Sequence, residues 1–121
     1  MNILIVEDDS LMGNLLLDVL QRANFNTTLV KDAAGALLYL EKNKADAILL
    51  DIILPGMNGL AFLERIKKEE ATKNIPVLIV SNLGDKADIE KGKQLGAVHY
   101  FVKANITPRE VVQKIREIVG E

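Results

Sequence analysis

The sequence predicts an α/β domain: five strand–helix units, (βα)₅, folded as a doubly wound parallel sheet. Three observations predict it. Five short β-branched or aliphatic runs punctuate the chain, at Ile3–Val6, Thr27–Val30, Ala47–Leu50, Val77–Val80 and Val98–Val102. Four of them are almost continuously apolar, the pattern of strands covered on both faces by helices. The gaps between them carry helical spacing, and their boundaries carry capping residues.

Each element can be justified in order. After the first run, Leu11, Leu15 and Val19 recur every four residues with Leu16 and Leu20 beside them, which predicts a helix; Asn24 suits its left-handed end. The second run, with two threonines, is more polar and belongs nearer a sheet edge. Leu37, Leu38 and Leu40 mark the second helix, and Leu60, Leu63 and Ile66 the third. The fourth, about Lys86–Leu95, is polar, with Ile89 and Leu95 as its main apolar positions, and Gly96 suits its end. The fifth carries Val111, Val112, Ile115, Ile118 and Val119. It opens on Thr107-Pro108-Arg109-Glu110, a capping box with proline at the first helical position.

Composition bounds the function. The chain has 121 residues, 49% of them hydrophobic, enough for one core and one domain over residues 1–121 but not two. It has no cysteine, which excludes a disulfide scaffold and a cysteine–zinc site. A net charge of −2 offers no basic surface for nucleic acid. The apolar runs fall far short of the ~20 residues that cross a bilayer. The segment MNILIVEDD lacks the basic start of a signal peptide. A cytoplasmic protein is the expectation.

Right-handed crossovers place ligands beyond the carboxyl ends of the strands, so the residues there are the candidate site. The first strand ends in Glu7-Asp8-Asp9, the third in Asp51, the fourth in Ser81-Asn82 and the fifth in Lys103. Alone, each has a plain reading: a solvated helix start, a turn aspartate, a loop hydroxyl, a surface lysine. Together they bring three carboxylates, a hydroxyl and an ammonium to one rim. Carboxylates ~4 Å apart at an effective dielectric of ~20 repel by about 4 kcal/mol per pair. Lys103 offsets one charge, and a divalent ion with hard oxygen ligands, Mg²⁺ or Mn²⁺, offsets the other two. Such a rim suits phosphoryl transfer to a carboxylate, a reaction that needs a positioned nucleophile and neutralised equatorial oxygens.

These residues lie in VEDDS, LLDIILPGMNGL, PVLIVSN and HYFVKAN. In order and spacing the chain resembles, over essentially its whole length, the receiver family of two-component response regulators. The chemotaxis regulator is that family's best-known single-domain member. The resemblance implies a flavodoxin-like sheet of strand order 2-1-3-4-5. It implies that Asp51 is the phosphoacceptor, with Ser81 and Lys103 contacting the phosphoryl group. Glu7, Asp8, Asp51 and the backbone carbonyl of Ile53 would hold Mg²⁺. Ser81 and Tyr100 would form the switch, and Ile53, Asn82 and Leu83 would tune phosphoryl lifetime. Asp9, one place past the acidic pair, would start the first helix.

The implied partners are a sensor histidine kinase or a histidine phosphotransfer protein, docking near the first helix. A downstream protein would bind the face made by the fourth helix, fifth strand and fifth helix, with the chain a monomer or a phosphorylation-dependent dimer. The chain would catalyse only its own phosphorylation and dephosphorylation. A phosphorylation-independent docking module is the alternative. A dehalogenase-type phosphotransferase would need an acid where Ile53 stands, and a flavodoxin-like cofactor binder would need a glycine- and hydroxyl-rich loop after the first strand.

Four positions depart from the family pattern or bear on it. Ala104 follows Lys103 where the family has proline in a cis bond. A cis bond without proline costs ~3 kcal/mol, so either the site holds that strain or the bond is trans, the favoured reading. Ile53 and Leu83 are apolar and cannot orient an attacking water, which predicts slow self-dephosphorylation. His99, the only histidine, is expected to be a partly exposed structural residue.

Overall fold

The computed structural model describes residues 1–120. Five parallel strands form one sheet: β1 (Asn2–Val6), β2 (Asn26–Val30), β3 (Ala47–Leu50), β4 (Val77–Ser81) and β5 (His99–Val102). Five helices alternate with them: α1 (Ser10–Arg22), α2 (Ala33–Lys42), α3 (Gly59–Lys68), α4 (Lys86–Gln94) and α5 (Pro108–Val119). The strand order is β2-β1-β3-β4-β5, as expected. The polar second strand is an edge strand, paired only with β1. The last strand begins at His99 rather than Val98, which is half exposed.

Strand side chains alternate between two cores, one on each face of the sheet. Leu4, Val6, Ile48, Leu50 and Ile79 pack with Phe62, Leu63 and Ile66 of α3. Ile3, Ile5, Leu49, Leu78 and Val80 pack with Leu16 and Leu20 of α1 and Val111 and Ile115 of α5. On α1 the buried stripe is Gly13, Leu16 and Leu20, whereas Leu11 and Leu15 face outward. The four-residue recurrence at Leu11 and Leu15 therefore marks the solvent side of that helix. On α2 the buried positions are Ala33 and Ala36, and Leu38 is exposed.

Capping fixes where each helix begins and ends. Asp9 accepts from the N–H groups of Leu11 (3.0 Å) and Met12 (3.5 Å), so it starts α1. Thr107 accepts from the N–H of Glu110 at 3.3 Å, with Pro108 in the first turn. Asn24 (φ 71°) and Gly96 (φ 111°) take the left-handed conformation at the ends of α1 and α4. These short caps and loops bring the carboxyl ends of the central strands β1, β3 and β4 and of β5 to one rim. Among the described residues, no helix is long and apolar enough to cross a membrane.

Candidate functional site

Glu7 directly follows β1 and Asp51 directly follows β3. The two strands are neighbours, with Val6 in register with Leu50, so the two carboxylates emerge side by side. Lys103 follows β5 and reaches across. Its Nζ lies 2.8 Å from Oε1 of Glu7 and 2.9 Å from Oδ2 of Asp51. All three side chains are at most 8% exposed. Each carboxylate is also held by a backbone donor. Oδ1 of Asp51 accepts from the N–H of Ile53 at 3.3 Å, and Oε2 of Glu7 accepts from the N–H of Asp9 at 3.1 Å.

One ammonium therefore serves two buried carboxylates. Burial is the largest influence on Glu7 and raises its pKa; Lys103 opposes it, and the hydrogen bond and charge of Asp51 raise it further, to about 7. Burial works against the charge of Lys103, but its bonds to Glu7 and Asp51 outweigh that and push its pKa upward. The cluster is thus short of positive charge whenever Glu7 is ionised.

Ser81 ends β4 and is fully buried at the same rim, its Oγ accepting from the N–H of Leu83 at 3.3 Å. Tyr100 lies inward, almost fully buried, and its hydroxyl donates to the Leu83 carbonyl. Asp8 stands apart: it is exposed, and among the described residues no three acidic or histidine side chains form one metal-holding group. The sequence expectation was three converging carboxylates; the structure brings two together, because Glu7 turns to Lys103 and Asp51 while Asp8 points to solvent. The donor set still suits a hard divalent ion. Two carboxylates share one ammonium, Asp8 follows Glu7 directly in sequence, and every candidate ligand is oxygen. Ile53 is exposed, Asn82 is exposed and Leu83 is half-buried beside the site.

The bond from Lys103 to Ala104 is trans, as expected, and the chain continues in a 3-10 turn over Lys103–Asn105. His99 is half-buried and packs edge-on against Phe101, with ring centres 4.5 Å apart. One glycine that shapes the site was not singled out for that role in the sequence. A Cβ on Gly59 would run into the carbonyl oxygen of Asp51 and lie 2.6 Å from Cα of Ile52. The start of α3 can therefore press against the acceptor's backbone only through glycine. A glycine directly after the helix-capping Asn58 was the available signal for it.

A buried strand-end aspartate paired to a lysine, with a second acid and a hydroxyl on the rim of a 2-1-3-4-5 sheet, is the arrangement of a two-component receiver domain. Residues 3–116 match the response regulator receiver domain family, and the chain belongs to it. It is 36% identical over 117 residues to the transcriptional regulatory protein BaeR of Escherichia coli O6:H1, covering 97% of this chain and 47% of that protein. The chain spans about half the length of the curated relatives it matches. A response regulator structure from Chloroflexus aurantiacus superimposes with a TM-score of 0.92 at 30% identity, covering 99% of this chain and 98% of that one. The receiver domain of the sensor histidine kinase PA1611 from Pseudomonas aeruginosa, solved with magnesium in its active-site cleft, gives 0.89 at 26% identity, covering 99% and 98%.

Proposed function

We propose that this chain accepts a phosphoryl group on Asp51 from a phosphohistidine and uses it to switch a protein-binding face. The observation that carries the reading is the Asp51 carboxylate, fixed on one oxygen by Lys103 at 2.9 Å and on the other by the Ile53 N–H at 3.3 Å. That orientation removes much of the entropy cost of attack. A carboxylate oxygen of Asp51 attacks phosphorus in line, the P–N bond to the donor imidazole breaks, and the imidazole leaves with its electron pair. Lys103 follows the charge onto the phosphoryl oxygens, and the Ser81 hydroxyl and loop N–H groups donate to the others.

Mg²⁺, with Mn²⁺ as a substitute, would be held by Glu7, Asp8, Asp51 and the Ile53 carbonyl, and would supply positive charge for the equatorial oxygens. Magnesium in the cleft of the PA1611 domain supports this assignment. Ser81 and Tyr100 then bias the β4–α4 loop and the α4–β5–α5 face by population shift. The donor is a sensor histidine kinase or a histidine phosphotransfer protein in the cytoplasm. The chemistry is a single self-modification rather than turnover of an external substrate. Ile53, Asn82 and Leu83 surround the acceptor without an acid or base, so the acyl phosphate is long-lived.

The test is labelling by acetyl phosphate with Mg²⁺, read by intact mass. The wild type gains one phosphoryl group, and Asp51→Asn gains none while keeping its fold by circular dichroism. Labelling that persists in Asp51→Asn, or a wild type that takes no label, rejects the proposal; the latter result leaves the chain as a docking module.

A further inference from the structure

We infer that Asn58 is a site of spontaneous deamidation, restrained by the fold and released when the loop between β3 and α3 opens. Asn58-Gly59 is the only place in the chain where glycine follows asparagine. The chemistry is intramolecular. The amide nitrogen of Gly59 gives up its proton and attacks Cγ of Asn58. The new C–N bond closes a succinimide ring, and the side-chain nitrogen leaves as ammonia, carrying a proton in exchange for the one released. Water then opens the ring at either carbonyl, giving aspartate or isoaspartate. Glycine suits the step because no Cβ obstructs ring closure.

Packing is what brings these two residues together. Gly59 is buried, and a Cβ on it would strike the carbonyl oxygen of Asp51 and lie 2.6 Å from Cα of Ile52. Asn58 is the N-cap of α3, its Oδ1 accepting from the N–H of Leu60 at 2.7 Å. Glycine is thus required directly after the amide side chain that starts the helix. The same contacts restrain the reaction. The Gly59 N–H donates to the Ile52 carbonyl at 2.8 Å, so the attacking nitrogen is engaged elsewhere. The Asn58 side chain is exposed to water but tied to Leu60. Ring closure therefore needs the cap and the Ile52 bond to break together, a local opening rather than global unfolding.

The two products differ in consequence. Aspartate keeps the chain length and is itself a good N-cap. Isoaspartate routes the chain through the former side chain, which adds one carbon ahead of Gly59. The cap oxygen is then consumed in the new peptide bond. The Asn58 carbonyl, which accepts from the N–H of Phe62 at 3.0 Å, becomes part of a pendant carboxylate. Gly59 loses its seat against Asp51 and Ile52. An effect on phosphoryl acceptance rests on the receiver reading above; the modification itself does not.

The test is prolonged incubation of the chain at pH 8, with and without urea, followed by peptide mass mapping that separates aspartate from isoaspartate. Asn58 should convert before any other asparagine, and about tenfold or more faster in urea, because the folded rate is limited by the open fraction. In urea, Gly59→Ala should convert several-fold more slowly, a comparison that needs no folded variant. The purified isoaspartyl protein should unfold at lower urea than fresh wild type and take less label from acetyl phosphate. Asn58→Asp should match the wild type in both. Conversion equally fast with and without urea, first conversion at another asparagine, or an unchanged rate in Gly59→Ala overturns the inference. An isoaspartyl form as stable as fresh wild type overturns the consequence drawn for α3. Fresh wild type that takes no label rejects the phosphoacceptor reading and leaves the conversion and unfolding measurements readable.

Discussion

Replacing Glu7 by glutamine keeps a side chain of nearly the same size beside Asp51 and Lys103 but removes one buried charge. The folded protein raises the Glu7 carboxyl from 4.5 to about 7, with burial as the leading cause. Between those values the native state holds a proton that the unfolded chain has released, so native stability falls as pH rises through the window. Below about pH 4.5 both states are protonated and nothing is lost. Above about pH 7 the full penalty is present, about 3 kcal/mol from the difference in pKa.

Glutamine has no such proton. Glu7→Gln should therefore match the wild type near pH 4.5 and exceed it by up to about 3 kcal/mol at pH 8. With a urea slope of about 2 kcal/mol per molar, the midpoint should rise by about 1.5 M at pH 8. Comparing the two proteins at each pH cancels groups that titrate alike in both. The measurement is urea unfolding followed by circular dichroism at pH 4.5, 6 and 8, without divalent ions. Equal midpoint differences at all three values, or a variant less stable at pH 8, would refute the charge-shortage argument.

Magnesium should substitute for the missing positive charge. At pH 8 it should raise the wild-type midpoint and leave Glu7→Gln nearly unmoved, with a chelator reversing the gain; equal shifts in both would remove Glu7 from the ligand set. Gly59→Ala should cost about 2–3 kcal/mol, because the new Cβ meets backbone that cannot step aside, and should slow acetyl phosphate labelling by displacing Asp51. Unchanged urea midpoints would contradict it. The pair Ile53→Asn and Leu83→Glu should shorten the acyl phosphate lifetime by about tenfold or more by giving water a partner, as timed by loss of the phosphorylated mass. Thr72→Val removes a buried 2.7 Å bond from Oγ1 to the Ile66 carbonyl and should cost about 1 kcal/mol in the same unfolding assay.

Much of this protein is determined locally and could be read from its sequence. Buried parallel strands must be apolar on both sides, so Ile3–Val6, Ala47–Leu50 and Val77–Val80 announce themselves. Helix ends must satisfy stranded backbone groups, so Asp9, Asn24, Gly96 and Thr107 mark them. The (βα)₅ order then sends every strand's carboxyl end to one rim, which is why Glu7, Asp51, Ser81 and Lys103 could be grouped without coordinates. Tertiary packing decided the rest. Both Leu11–Leu15 and Leu16–Leu20 have helical spacing, and only the sheet beneath α1 selects the second pair for burial. Asp8 and Glu7 are adjacent acids, yet only Glu7 reaches Lys103: its backbone is still bonded to Val30 at the end of β2 and its side chain is buried, whereas Asp8 lies in the bend before α1 and is exposed. The contact between Lys103 and Asp51 joins residues 52 apart in sequence. Sequence patterns record what a segment needs from its own backbone and from water; they do not record which distant atoms will fill the space beside it.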